Sequence, residues 1–436
     1  MPNTIKIERI AVLGAGVMGA QLAGLFANKG IRTSLFDISI DVSSSGRERL
    51  NTLKPPPLEK PEIINLITPC CYENDMEKIE EADWIIEAVP ENIDIKVSVY
   101  NKIASFIKPT AILSTNTSGI TLKELIPNLP ETLKDRFIIT HFFNPPAYMK
   151  LLELIKTKHT SSDIYDTMND FAQNQLHKGI VPASDTPNFI GNRVGIFGII
   201  SAIKLALEKG ITIQEADMLT GKVCGRPNSA TFRTADLIGL DILKNVANTT
   251  YKKSTHDESI EVFKIPNIIE DLIEKGNLGQ KTNGGFYKKN EAGDIEVYHP
   301  ENKNYAPIEK LDIDLDDDKI NNGDINQRIN YLISLDNKYG DFFWHSISDM
   351  LLYCAHRIPE ITSDPINIDN AMKWGFGWQL GPFEIWDIIG LTKSVDRMRS
   401  NLSLIHISEP TRLQSSSYAG VGWKKKTGGG GGGGGG

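Results

Sequence analysis

Residues 7–19, Ile7-Glu8-Arg9-Ile10-Ala11-Val12-Leu13-Gly14-Ala15-Gly16-Val17-Met18-Gly19, decide how the front of this chain folds. An apolar strand signal over 7–13 runs into a G-x-G-x-x-G turn, a helix signal over 17–29 and a second strand signal over 32–37. That order is a βαβ unit, the context in which the glycine pattern carries chemical meaning. Gly14 permits a tight turn, Gly16 lets the backbone approach a pyrophosphate, and Gly19 lets helix and strand pack closely. The helix start at Val17 and Met18 then offers amide donors and the positive end of the helix dipole. Asp37 ends the second strand 23 residues after Gly14, where a carboxylate accepts hydrogen bonds from ribose hydroxyls. Ile38 and Ser39 bring no arginine to neutralise a 2′-phosphate, so the expected cofactor is NAD rather than NADP. FAD is the competing dinucleotide, and the rest of the chain argues against it.

Outward from this unit, strand signals return at 84–89, 111–115 and 137–142 in alternation with helices, which implies a parallel sheet. Residues 41–61, with Ser43 to Ser45 and Pro55 to Pro57, read as an excursion from the core rather than a regular element. Beyond residue 185 helical patterns dominate at 190–208, 213–220, 234–250 and 266–275. The expected architecture is an α/β Rossmann domain, doubly wound with a mainly parallel sheet, over 1–185, followed by an all-α domain over 186–290. A linker over 291–339 then leads to a second, partial helical repeat over 340–401. The repeat is suggested by spacing: Asp217 to Asp236-Leu237-Ile238-Gly239-Leu240 is echoed by Asp369 to Asp387-Ile388-Ile389-Gly390-Leu391. Residues 402–436 have no fold logic. Leu402-Ser-Leu-Ile-His-Ile-Ser-Glu-Pro-Thr-Arg412 resembles a translated sequencing adapter and the final glycine run resembles uncalled bases, so this tail is expected to be non-native.

The chain has 436 residues, 40% hydrophobic and 23% charged, a globular mixture that suggests two or three domains. It contains no signal-peptide pattern and no apolar run of about 18 residues, so a cytoplasmic protein without membrane insertion is expected. The four cysteines have neither disulfide-framework nor metal-ligand spacing, and no metal is expected. A net charge of −8 argues against nucleic acid as a partner.

His141 ends a strand signal in His141-Phe-Phe-Asn144-Pro-Pro146, and Glu153 lies twelve residues later in the apolar segment Leu151 to Ile155. An imidazole and a carboxylate on neighbouring extended segments can form a base and its orienting partner, which alcohol dehydrogenation requires. By itself, a histidine at a strand end is more often structural.

The ordered series GAGVMG, EAVPEN, STNTSG, HFFNPP, LLELI, DTPNFIGNRV and GQKTNGGFYK over residues 5–290 resembles the L-3-hydroxyacyl-CoA dehydrogenase family. The resemblance implies that His141 is the general acid/base and Glu153 its partner, with Ser118 and Asn192 at the substrate carbonyl. It also implies that Ser118, Glu91, Lys96, Asn144 and Lys281 line the nicotinamide half of the cofactor. Lys54 and Lys60 flank the proline excursion where CoA phosphates are expected to approach. The implied substrate is an acyl-CoA thioester, oxidised with NAD in fatty-acid β-oxidation. The Gly381-Pro-Phe-Glu384 turn stands in the second repeat, where short members carry it in the first. The layout therefore resembles the dehydrogenase part of a bifunctional 3-hydroxyacyl-CoA dehydrogenase/enoyl-CoA hydratase, with a homodimer or a following hydratase domain as expected partners. The alternatives are another Rossmann-type β-hydroxy-acid dehydrogenase and a non-catalytic NAD(H)-binding relative.

Overall fold

The computed structural model describes residues 5–311, 313 and 315–405. Eight strands form one sheet: β1 (Arg9–Leu13), β2 (Arg32–Asp37), β3 (Ile67–Cys71), β4 (Trp84–Glu87), β5 (Ile112–Thr115), β6 (Phe137–Phe142), β7 (Leu151–Ile155) and β8 (Gly179–Pro182). Their order is β3-β2-β1-β4-β5-β6-β7-β8. Strands β1 to β6 pair in parallel, β7 runs antiparallel to β6, and β8 is parallel to β7. The order reverses between β1 and β4, and a doubly wound sheet binds its ligand outside the strand ends at such a switch point.

Helices cover both faces, and the strands are correspondingly apolar along their length. Ile10 and Val12 of β1 join one core cluster with Phe26 and Trp84, while Ala11 and Leu13 join the other with Phe36 and Tyr100. The helices around the sheet are α1 (Val17–Asn28), α2 (Ile40–Arg49), α3 (Glu77–Glu81), α4 (Ile93–Ile103), α5 (Leu122–Leu125) and α6 (Ser162–Asn174).

The segment read as an irregular excursion opens with α2, which corrects that expectation. Ser39 caps it by accepting from the Val42 amide at 3.3 Å. The helix buries only Ser43 and Gly46, so it lacks the apolar stripe that would reveal it in the sequence. Strands β3 and β8 also escaped sequence reading. Each occupies a sheet edge and contains a proline, Pro69 or Pro182, a residue that a strand interior excludes but an edge tolerates.

The helix-rich remainder contains α7 (Gly191–Glu208), α8 (Ile213–Thr220), α9 (Phe232–Ile238), α10 (Leu240–Lys253) and α11 (Asn267–Glu274). The helix expected over 234–250 is broken at Gly239, whose φ of +95° is open to glycine alone at low cost. Residues 291–339, expected to be a bare linker, carry β10 (Ile295–His299) and β11 (Asn304–Pro307), which form an antiparallel sheet with the preceding β9 (Tyr287–Lys289), then α12 (Asp317–Asn322) and α13 (Ile325–Ser334). The Asp236 carboxylate anchors this sheet by accepting from the amides of Phe286 and Tyr287 at 2.8 and 2.9 Å.

Helices α14 (Lys338–His356), α15 (Pro365–Gly375) and α16 (Pro382–Ile389) follow. The echoed aspartates share one device. Asp217 accepts from the amides of Thr231, Phe232 and Arg233 at the start of α9, and Asp369 from that of Phe383 at the start of α16. Residues 390–405 form a separate unit containing α17 (Leu391–Ile405). The remainder of the expected non-native tail, 406–436, lies outside the described residues.

A Cβ at Gly19 would stand 1.7 Å from the Gly14 carbonyl oxygen, part of the rigid turn. Gly19→Ala is therefore expected to lower stability by about 2 kcal/mol or more and to weaken NAD binding. Thermal melts with and without NAD check this, and an unchanged melt would contradict the close-packing account.

Candidate active site

His141 and Glu153 are register partners across the antiparallel pair β6 and β7, which explains a spacing of twelve residues. His141 Nδ1 and Glu153 Oε2 lie 2.7 Å apart, and both side chains are buried. The other carboxylate oxygen of Glu153 accepts from the amides of Ile190 and Gly191 at 3.0 and 2.8 Å, at the start of α7. A helix N-terminus favours negative charge, so the carboxylate is held on one side by amides and on the other by the imidazole.

The turn before α7 makes this possible. Asn188 and Phe189 have φ of +64° and +49°, a region that costs a side-chain-bearing residue of order 1 kcal/mol or more. The Asn188 side chain offsets the cost by donating to the Val246 carbonyl at 2.9 Å and to Thr250 Oγ1 at 2.6 Å. Phe189 packs against the His141 ring at 5.4 Å between centroids, and Phe143 flanks it at 4.8 Å. Asn192 stands on the first turn of α7, half-buried, and its side chain forms no hydrogen bond among the described residues.

Ser118 completes the chain of polar groups, its Oγ lying 3.1 Å from His141 Nε2. Its loop is fixed by Glu91, whose Oε1 accepts from Thr117 Oγ1 at 2.5 Å and from the amides of Ser118 and Gly119 at 3.0 and 2.8 Å. Lys96 reaches Glu91 at 3.3 Å and buried Glu87 at 2.8 Å, and Glu87 also accepts from Tyr100 and Thr115. Burial works to raise the Glu91 carboxyl. The Lys96 charge and the hydrogen bonds from Thr117, Gly119 and Ser118 outweigh it and hold the group below its ordinary value.

The glycine turn fits a dinucleotide. Gly14 has φ of +101°, and a Cβ there would meet the Ala88 carbonyl at 2.7 Å. A Cβ on Gly16 would point into open space, leaving the backbone approachable, and no side chain caps the start of α1. Asp37 accepts from the Ala15 amide at 2.6 Å, which fixes the acidic tip of β2 beside the turn. Val17, at the start of α1, and Ile38, just after β2, expose apolar side chains near this turn.

Other residues singled out in the sequence fall differently. Asn144 accepts from Gln21 of α1 at 2.9 Å, which joins the histidine loop to the cofactor helix. Lys96 is a core residue, not a solvated one. Lys281 pairs with Asp241 at 2.6 Å, and among the described residues no contact joins its side chain to His141 or Ser118. Lys54 and Lys60 are exposed, in a loop tethered where Tyr148 donates to the Pro56 carbonyl at 2.6 Å. Sequence reading missed Lys178. This buried cation donates to the Pro146 and Met149 carbonyls, shaping the loop after His141, and burial pushes its ammonium down to about 8. No pattern marks it, since its partners are backbone atoms some thirty positions away.

Because Glu91 is depressed in the fold, it contributes stability that is present above its ordinary range near 4.5 and lost as pH falls through its lower folded value. Glu91→Gln is expected to cost about 1 kcal/mol at neutral pH, and the difference from wild type should shrink below pH 4. Urea titrations at pH 7 and 3.5 check this, and a pH-independent difference would contradict it.

Comparison with known proteins gives a consistent picture. The family model described as 3-hydroxyacyl-CoA dehydrogenase, NAD binding domain, matches residues 9–186, in agreement with the cofactor read from Asp37. The C-terminal domain of the same family matches residues 189–289. A "Probable 3-hydroxyacyl-CoA dehydrogenase" of Bacillus subtilis is 41% identical over 413 residues, 90% of this chain and 52% of that protein. A "Putative fatty acid oxidation complex trifunctional enzyme" of Rickettsia felis is 34% identical, over 96% of this chain and 58% of its own length. The chain thus spans little more than half the length of these relatives. A protein of Deinococcus radiodurans with the same name as the Bacillus relative is 39% identical, over 65% of this chain and 84% of its own length. The crystal structure of 3-hydroxybutyryl-CoA dehydrogenase from Escherichia coli K12 shares the fold, with a TM-score of 0.69 at 20% identity, over 92% of this chain and 95% of that one. Two family domains in order, and a relative matched over most of its length, establish that this chain belongs to the 3-hydroxyacyl-CoA dehydrogenase family.

Proposed function

We propose that the chain oxidises an (S)-3-hydroxyacyl-CoA to the 3-oxoacyl-CoA in fatty-acid β-oxidation, with His141 as the general acid/base. The observation that carries this reading is the continuous line Ser118 Oγ, His141, Glu153 and the start of α7, joined by contacts of 3.1, 2.7 and 2.8 Å. NAD, held by Gly14 to Gly19 and Asp37, supplies the acceptor for the hydride that leaves C3. His141 Nε2 takes the proton of the C3 hydroxyl as the carbonyl forms. Glu153 holds Nδ1–H and stabilises the imidazolium produced. Ser118 and the uncommitted Asn192 amide hydrogen-bond the C3 oxygen, stabilising charge on it when the reaction runs towards the alcohol.

The remaining assignments are part of the same proposal. Glu91 acts by fixing the Ser118 loop, Asn144 by linking that region to α1, and Lys54 and Lys60 by meeting CoA phosphates. Lys281, tied to Asp241, approaches the nicotinamide only if that pair opens. The domain limits 1–185 and 186–290, and a partial repeat over 340–401 covering a surface that short members use for pairing, explain the echoed aspartates. An enoyl-CoA hydratase partner is the expectation that the trifunctional relatives add, and a homodimer is its alternative. Among the described residues no helix is long and apolar enough to cross a membrane. A cytoplasmic site of action belongs to the proposal.

The test is NADH oxidation with acetoacetyl-CoA. His141→Ala is expected to lower kcat by about a thousandfold while NADH affinity, read by fluorescence titration, stays within about threefold. Equal rates in the two proteins, or turnover of free 3-hydroxy acids without CoA thioesters, would overturn the assignment.

A further inference from the structure

The start of α7 carries contacts of the site in consecutive residues. Phe189 packs on the His141 ring, the amides of Ile190 and Gly191 hold Glu153, and Asn192 follows on the first turn. A shift of this turn therefore moves all of them together. What fixes the turn is the next residue, Arg193. Its side chain is fully buried, and its guanidinium is bonded at every nitrogen. Nε donates to the Tyr353 hydroxyl at 2.6 Å, one terminal nitrogen to Ser254 Oγ at 2.9 Å and the other to Asp257 Oδ2 at 2.8 Å. Ser254 and Asp257 follow α10, and the Glu360 carboxylate lies 3.3 Å from the same guanidinium.

Tyr353 comes from α14, beyond residue 289, where the match to the family's C-terminal domain ends. Its hydroxyl accepts from Arg193 and donates to Asp257 Oδ2 at 2.9 Å, so one phenol closes the cluster. Burial holds that phenol well above its ordinary value, which keeps the proton it donates in place. The Tyr353 ring stacks on Phe197, four positions after Arg193 on the same face of α7, at 3.7 Å between centroids. Three positions earlier on α14, Met350 fills the gap left by Gly198, where a Cβ would fall 2.1 Å from its Cε. A second tie is made by backbone: the Ser184 amide, in the run into α7, donates to the Ile361 carbonyl at 2.9 Å.

We infer that Tyr353 is a positioning residue of the dehydrogenase: through Arg193 it fixes the first turn of α7, and with it Asn192 and the amides that hold Glu153. The inference rests on the reaction proposed above and adds to it a part supplied by the segment after residue 289. Packing alone does not call for such a cluster, since apolar side chains of similar volume hold two helices together at least as well. Directional bonds to every nitrogen of one planar guanidinium do more, because they fix the rotation and the advance of α7 as well as its distance from α14. His141 and Asn192 address one substrate oxygen together only in that setting.

The test compares NADH oxidation with acetoacetyl-CoA by the full chain and by two variants, each assayed well below its melting midpoint. Tyr353→Phe keeps the ring and its stack on Phe197 but removes the hydroxyl. It should lower kcat by about tenfold or more, with NADH affinity within about twofold of wild type. Ile329→Ala is the control, a buried side chain of α13 outside the cluster. It should lower the melting midpoint at least as far and leave kcat within about twofold of wild type. If Tyr353→Phe does not fold, Arg193→Lys, which keeps the charge and loses the planar fork, takes its place with the same expected loss. Equal losses of kcat in the cluster variant and the control, or a cluster variant as fast as wild type, overturn the inference and leave the dehydrogenase reading intact. A wild-type chain that turns over no CoA thioester overturns the reading on which it rests.

Discussion

One carboxylate sets the geometry of this molecule. Glu153 gives one oxygen to His141 and the other to two amides at the start of α7. Neither half of that arrangement stands alone. A buried carboxylate left with the imidazole only would bear much of its desolvation cost, and the helix start would keep unpaired amides. The bridge therefore joins the sheet to the helix that carries Asn192, and it fixes the tautomer and tilt of the histidine at once. It fits the direction of β7, which with β8 runs antiparallel to β1–β6: a connection as short as 143–150 allows only an antiparallel pair, and that pairing sets Glu153 opposite His141.

The same constraint accounts for the backbone at Asn188 and Phe189. Both residues lie in the left-handed region, where glycine would be less costly. Each side chain has work that glycine lacks, since Asn188 ties the turn to α10 and Phe189 packs against the His141 ring. Ser118 is held by a parallel logic. Its loop wraps around Glu91, which is anchored through Lys96 to the buried Glu87 on β4. Positive and negative charges thus alternate from the core outward to the site.

The sequence made the N-terminal fold legible because Gly14, Gly16, Gly19 and Asp37 perform backbone tasks that few other residues can. The polar groups around His141 were legible through motif order rather than pattern, because a strand-end histidine has no periodic signature. The structure brings Ser118, His141 and Glu153 together and leaves Lys281 on Asp241. Helix α2 was hidden because it packs through glycine and serine, and the sheet over 287–307 because its anchor, Asp236, lies some fifty positions earlier. Lys178 was hidden because burial of a cation is a tertiary fact, and in sequence it passes for a solvated surface charge.

The central claim is that His141 and Glu153 act as one unit. A double-mutant cycle on turnover, with His141→Asn, Glu153→Gln and the pair, tests it most directly. The account predicts that the double variant is no slower than the slower single one, because either change dismantles the same proton acceptor. Losses that multiply in the double variant would contradict it, since the two residues would then contribute independently.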